Sequence, residues 1–162
     1  MVARLTRGWD VRLLFEPGRL IVGEAGVLLT EVIRIKPGAA NPFVILDAAM
    51  NDLVRPSLYD AWHEIASVAP TGGEMVADVV GPICESGDVF AVARRLDRVE
   101  AGDLMAIRTA GAYAATMAGT YNSRALTPEV LVDGARWAVV RPRRDTEAYL
   151  ADESVPAWLA RG

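Results

Sequence analysis

Four short clusters in this 162-residue chain bring together side chains able to handle a charged amino acid. Glu16-Pro17-Gly18-Arg19 sets an acid and a guanidinium on either side of a rigid turn at the end of an apolar run. Arg55 and Tyr59 are four apart in a segment with helical character, hence on one face. Cys84-Glu85-Ser86-Gly87-Asp88 puts a thiol beside a carboxylate in a turn, and Tyr113 lies among small residues. Two arginines, two acids, a thiol and two phenols form a set suited to a zwitterionic amino acid. Arginine grips carboxylates through paired bonds, acids hold ammonium groups, and a thiol can move a proton.

Each cluster also has an ordinary structural role open to it. Arg55 and Tyr59 could be a surface helical pair, and a lone cysteine is often a small buried hydrophobe. Pro-Gly pairs make common turns, and Tyr113 could be a core-edge aromatic with a wet hydroxyl. His63, between Trp62 and Glu64, reads as a structural or surface imidazole and is assigned no role.

Scarcity narrows the chemistry further. The chain holds one cysteine (Cys84), one histidine (His63) and one lysine (Lys36). A zinc site would need carboxylates almost alone, so no metal is expected. A serine hydrolase would need His63 as base, and no nucleophile-elbow glycine pattern accompanies it. The formal charge of −4 and the isolated Arg141, Arg143 and Arg144 give no nucleic-acid footprint. The first residues lack the apolar core of a secretory signal, and no apolar stretch is long enough to span a bilayer. A single cysteine cannot form an internal disulfide, in keeping with a reducing cytoplasm.

The elements that must position these groups are mostly strands. Hydrophobic residues at 52% and charged residues at 23% describe an ordinary one-domain chain without repeats or linkers. Arg12–Phe15, Val27–Ile35, Phe43–Asp47, Met75–Val80, Val89–Ala93, Leu104–Thr109, Glu129–Val132 and Trp137–Arg141 read as strands bounded by Gly, Pro, Asn or Asp. In Val27–Ile35 the odd-numbered side is largely apolar, as on a half-buried sheet, with Glu31 the exception. Pro56–Ile65, with Leu58, Trp62 and Ile65 on one face, Ala110–Gly119 and Arg144–Ala151 read as helices. Many short strands with two or three short helices predict a mainly β fold; the pattern leaves sandwich and barrel open.

Taken in order, EPGR with LIVGEAGVLLT, ILDAAMNDLVRPSLYDAWHEI, VVGPICESGD, AGAYAATMAGTYNSR and EVLVDG resemble the diaminopimelate decarboxylase family. CESGD and MNDLxRPxLY are specific to that family, whereas EPGR is shared by the wider ornithine-decarboxylase-like group. Ala49 departs from the glycine more usual in the MND block. The resemblance implies an N-terminal (β/α)8 barrel that carries pyridoxal 5′-phosphate, followed by a Greek-key β-barrel of the alanine-racemase C-terminal type. Residues 1–19 would then close the first barrel and residues 20–162 would form the β-domain.

The resemblance also implies roles. The Glu16-Pro17-Gly18-Arg19 block and Tyr113 would face the cofactor, Glu16 pairing with its pyridine nitrogen. Arg19 and Arg55 would bind substrate carboxylates, with Tyr59 and Tyr113 adding contacts. Cys84 would donate a proton after carbon dioxide leaves, and Glu85 would hold the distal ammonium of meso-diaminopimelate. Both would act across a homodimer interface, in an enzyme making L-lysine. The family's cofactor-anchoring lysine belongs to the barrel, and Lys36, in an Ile-Lys-Pro-Gly turn, matches no cofactor motif. The chain is therefore expected to be a piece of the enzyme, inactive alone. The competing readings are a related decarboxylase of ornithine, arginine or carboxynorspermidine, and a non-catalytic β-domain used for dimerisation.

Overall fold

The structure, a computed structural model, describes residues 2–159. Eight strands and four short helices make it up: α1 (Val2–Leu5), α2 (Gly18–Val22), β1 (Leu28–Lys36), β2 (Phe43–Leu46), α3 (Arg55–Tyr59), β3 (Ile65–Ser67), β4 (Glu74–Val80), β5 (Val89–Asp97), β6 (Leu104–Ile107), β7 (Glu129–Asp133), β8 (Arg136–Arg141) and α4 (Thr146–Leu150). The expected mainly β fold is present; α3 and α4 overlap two of the expected helices, whereas α1 and α2 were not anticipated.

Six strands form one sheet in the order β3-β6-β1-β2-β4-β5. All neighbours are antiparallel except β2 and β4, which run parallel with Phe43 opposite Asp78. The sheet curls until its edges meet: Arg94 of β5 donates to the carbonyl of His63, two residues before β3, at 2.7 Å. The result is a nearly closed barrel. Its interior is filled by Val32, Val44, Leu46, Leu53, Val79 and Met105, all without solvent exposure, which is where most of the stability of such a domain arises.

Strand β1 turns the opposite face inward from the one its pattern favoured. Thr30 and Val32 are buried, whereas Val27, Leu29, Glu31 and Ile33 are exposed. A bulge between Val32 and Arg34 then switches parity, so that Ile35 is half-buried. Burying Thr30 is tolerable because its hydroxyl donates to Asp47 and accepts from the Ala48 amide.

Three other segments differ from expectation. Arg12–Phe15 pairs with no described strand and is exposed. Pro56–Ile65 stops being helical at Tyr59, because Asp60 adopts a left-handed conformation (φ 51°) and caps the turn. Trp62 consequently lies exposed and Ile65 enters β3. Ala110–Gly119 is a run of turns, for reasons that belong to the site. The β7–β8 hairpin is apolar and exposed, with Leu131, Val132, Trp137 and Val140 all facing solvent.

Candidate active site

Helix α3 begins with the first candidate. Pro56 fits the opening turn of α3 with its fixed φ, leaving Arg55 at the start and Tyr59 one turn later. The Arg55 guanidinium carbon lies 5.4 Å from the Tyr59 ring centre and 5.5 Å from that of Tyr113. A guanidinium held between two rings in this way is attracted by both π faces and loses rotational freedom. Its Nε is buried without a hydrogen-bond partner, and no acid pairs with it among the described residues. A cation oriented but not neutralised is a receptor for an anion, and the planar fork suits a carboxylate.

Tyr113 reaches Arg55 because its segment is not a helix. The Gly111 amide donates to the Gly23 carbonyl, and the Ala110 amide to that of Gly26. Gly26 and Gly111 stack so closely that a Cβ on Gly26 would fall 2.6 Å from the Gly111 Cα. This contact pulls the chain away from helical hydrogen bonding, and Thr109 and Tyr113 both take left-handed backbone conformations (φ 60° and 61°). Such conformations are costly for side chains with a Cβ and cluster at sites of function. Thr109 is steadied by donating to Glu24 at 2.9 Å. The same contact docks α2, with Arg19, against the strand leading to Tyr113. Glu16, Pro17, Gly18 and Arg19 are all exposed, and Gly18 and Arg19 open α2 with no strand before them among the described residues.

The third element is the turn between β4 and β5. Cys84 and Glu85 are exposed on it. Glu85 accepts from the Gly87 amide at 3.0 Å, so the turn is braced by its own carboxylate. Ser57 of α3 donates to the Gly87 carbonyl, tying the thiol-bearing turn to the helix of Arg55 and Tyr59. Arg55, Tyr59 and Tyr113 are thus brought into contact, and Cys84 and Glu85 are strapped to the same helix.

Three charged residues singled out for no role in the sequence lie beneath this arrangement. Asp52 and Asp88 are buried acids, and Arg124 reaches Asp52 at 3.8 Å and the Asp47 carbonyl at 2.6 Å. Burial pushes the Asp52 carboxyl above its ordinary value, against the pull of the Ala49 amide and Arg124. Burial likewise raises Asp88, opposed by the Ile83 and Met50 amides. The available signal was an acid set directly against apolar runs, Asp52 before Leu53-Val54 and Asp88 before Val89-Phe90.

Two residues fall outside the site. His63 is buried, and its Nδ1 bonds the Arg108 carbonyl at 2.9 Å, so the ring is structural with its proton on Nδ1. Lys36 ends β1, eight residues from Leu28; at about 3.3 Å per residue this is roughly 26 Å from the end beside Gly26 and Gly111. The residues present fit the substrate side of a pyridoxal cofactor, whereas Lys36 does not fit as its anchor. A shallow cleft of about 410 Å³ lies beside α3, lined by Pro56, Asp60, Trp62, Phe90 and Arg94, and none of the candidate residues lines it. No helix among the described residues is long and apolar enough to cross a membrane.

The nearly closed barrel matches a known domain. The model of the pyridoxal-dependent decarboxylase C-terminal sheet domain covers residues 19–111, and the chain belongs to that family. Among its relatives, the diaminopimelate decarboxylase of Zymomonas mobilis subsp. mobilis is 56% identical over 159 residues, spanning 98% of this chain and 38% of that protein. The diaminopimelate decarboxylase of Neisseria meningitidis serogroup A is 49% identical, over 88% of this chain and 35% of its own. The crystal structure of diaminopimelate decarboxylase from M. jannaschii in complex with L-lysine superposes with a TM-score of 0.84 at 39% identity, covering 88% of this chain and 33% of that one. The chain therefore spans little more than a third of the relatives it matches.

Proposed function

We propose that this chain supplies the β-domain side of the active site in a diaminopimelate decarboxylase, converting meso-2,6-diaminopimelate to L-lysine in the cytoplasm. The observation that carries the reading is the Arg55 guanidinium, set against the rings of Tyr59 and Tyr113 with no acid paired to it among the described residues. On this reading residues 1–19 belong to a cofactor-bearing barrel and residues 20–162 to the β-domain, paired in a homodimer.

When bound, pyridoxal 5′-phosphate supplies an electron sink for the carbanion left as carbon dioxide departs. Glu16 would pair with the cofactor's pyridine nitrogen and keep it protonated, while Pro17 and Gly18 would shape the loop that presents it. Arg19 and Arg55 bind the substrate's carboxylates, Arg55 through a paired contact that Tyr59 and Tyr113 orient. Tyr113 also borders the cofactor. Glu85 holds the distal ammonium, using the carboxylate that now braces its own turn. Cys84 would donate a proton to the reacting carbon from its exposed position, acting in the partner's site.

The test is a chimera in which this chain replaces the matched region of the Zymomonas mobilis enzyme. Release of carbon dioxide and L-lysine from diaminopimelate, with no turnover of ornithine, supports the reading. Turnover of ornithine but not diaminopimelate favours the related decarboxylases. A folded, cofactor-loaded chimera that turns over neither leaves the non-catalytic dimerisation domain.

A further inference from the structure

Asp88 ends the turn that carries Cys84 and Glu85, yet it faces away from solvent and is only 3% exposed. Its backbone carbonyl closes the base of the turn by accepting from the Gly81 amide at 2.9 Å. Its carboxylate bonds in two directions. One oxygen accepts from the Ile83 amide at 3.0 Å, inside the turn and next to Cys84. The other accepts from the Met50 amide at 2.6 Å, in the loop that leads into α3. Glycine at position 81 is what leaves room, because a Cβ there would collide with both carboxylate oxygens of Asp88. An ionised acceptor screened from water holds amides more firmly than a neutral one.

From this geometry we infer that Asp88 is a positioning residue, whose buried carboxylate sets the distance between the Cys84–Glu85 turn and the Arg55–Tyr59 helix. Ser57 and Gly87 form a second strap between the same two elements, but that strap is a single neutral bond. The carboxylate is the only group among the described residues that bonds the interior of the turn and the α3 loop together. The inference rests on the role proposed above for Cys84, since a donor that reaches into the partner's site must project from a turn held in one place. Displacement of about 1 Å can cost some 10²-fold in rate.

The test uses Asp88→Asn, which keeps the size but offers one acceptor atom where two amides need one each. Amide hydrogen exchange is measured on the whole 162-residue chain, and kinetics on the chimera. Positioning predicts at least tenfold faster exchange at the Ile83 and Glu85 amides of the turn, with Val79 and Met105 in the core unchanged. It also predicts a fall in kcat of about 10²-fold with KM for diaminopimelate within twofold. Unchanged exchange in the turn, or equal loss of protection in the core, overturns the inference. So does normal kcat in Asp88→Asn when Cys84→Ala is impaired. Normal turnover in Cys84→Ala instead overturns the proposed donor, and the exchange data alone then decide the role of Asp88. If Asp88→Asn does not fold, the wild-type Met50 and Ile83 amide shifts serve: one shared carboxyl titration supports the inference, and two unrelated ones overturn it.

Discussion

The guanidinium of Arg55 lies almost equally far from two aromatic rings, 5.4 Å from Tyr59 on its own helix and 5.5 Å from Tyr113, far along the chain. The first contact is local and follows from spacing; the second exists only because the chain around Gly111 is bent back. Together they fix the direction in which the fork points.

Replacing Arg55 with lysine keeps the charge but loses the planar fork and most of the stacking. In the chimera, Arg55→Lys should lower kcat/KM for diaminopimelate by about 10- to 100-fold, corresponding to roughly 1.5–3 kcal/mol for a charged hydrogen-bonded contact. Steady-state kinetics check this, and a variant within twofold of the parent would remove Arg55 from the binding site.

Cys84 and Glu85 should separate kinetically. Cys84→Ala should cut kcat by about 10² to 10⁴-fold with KM little changed, because proton delivery belongs to the transition state. Glu85→Gln should act mainly on KM, through the lost contact to the distal ammonium. Because Cys84 is exposed, a thiol reagent should label the native chain without denaturant.

Lys36 should not anchor a cofactor. Incubating the chain with pyridoxal 5′-phosphate, reducing with borohydride and mapping peptides should give no stoichiometric adduct at Lys36. Full labelling there, with turnover of diaminopimelate by this chain alone, would falsify the assignment of the anchoring lysine to another segment.

The two buried acids make a signed prediction about pH. Burial raises both carboxyls above the ordinary 3.8 in the folded chain, so folding takes up protons that the unfolded chain has released. The stability linked to that uptake is full below the unfolded value and is lost as pH rises through the raised folded values. Asp52→Asn, close in shape and neutral at every pH, should remove part of this dependence. Urea midpoints measured from pH 7 downward should rise less on acidification in Asp52→Asn than in the parent. Parallel curves would show that Asp52 has the same affinity for protons in both states.

Seven of the eight strands, all but β3, could be read from the sequence because each is a short aliphatic run closed by Gly, Pro, Asn or Asp, and such punctuation is local. Cys84 and Glu85 could be read for the same reason, since a Gly-rich turn between two apolar runs ends up outside. What could not be read depends on distant partners. The alanines of Ala110–Gly119 favour helix, but the stacking of Gly26 on Gly111 overrides them. The bulge after Val32 decides which face of β1 is buried, and nothing in the local alternation announces it. Asp88 and Arg124 were passed over because their partners, Met50 and Asp47, lie far away in sequence.

The parallel pairing of β2 with β4 bears on how the domain acquires its shape. Parallel neighbours cannot be joined by a tight hairpin, and here the connection between them, Asp47 to Gly73, contains α3 with Arg55 and Tyr59. The β4–β5 hairpin can zip from its own turn, whereas β2 must find β4 after closing a long loop, an entropically slow step. The β4–β5 turn that carries Cys84 is therefore expected to form before the loop that carries the Arg55 helix.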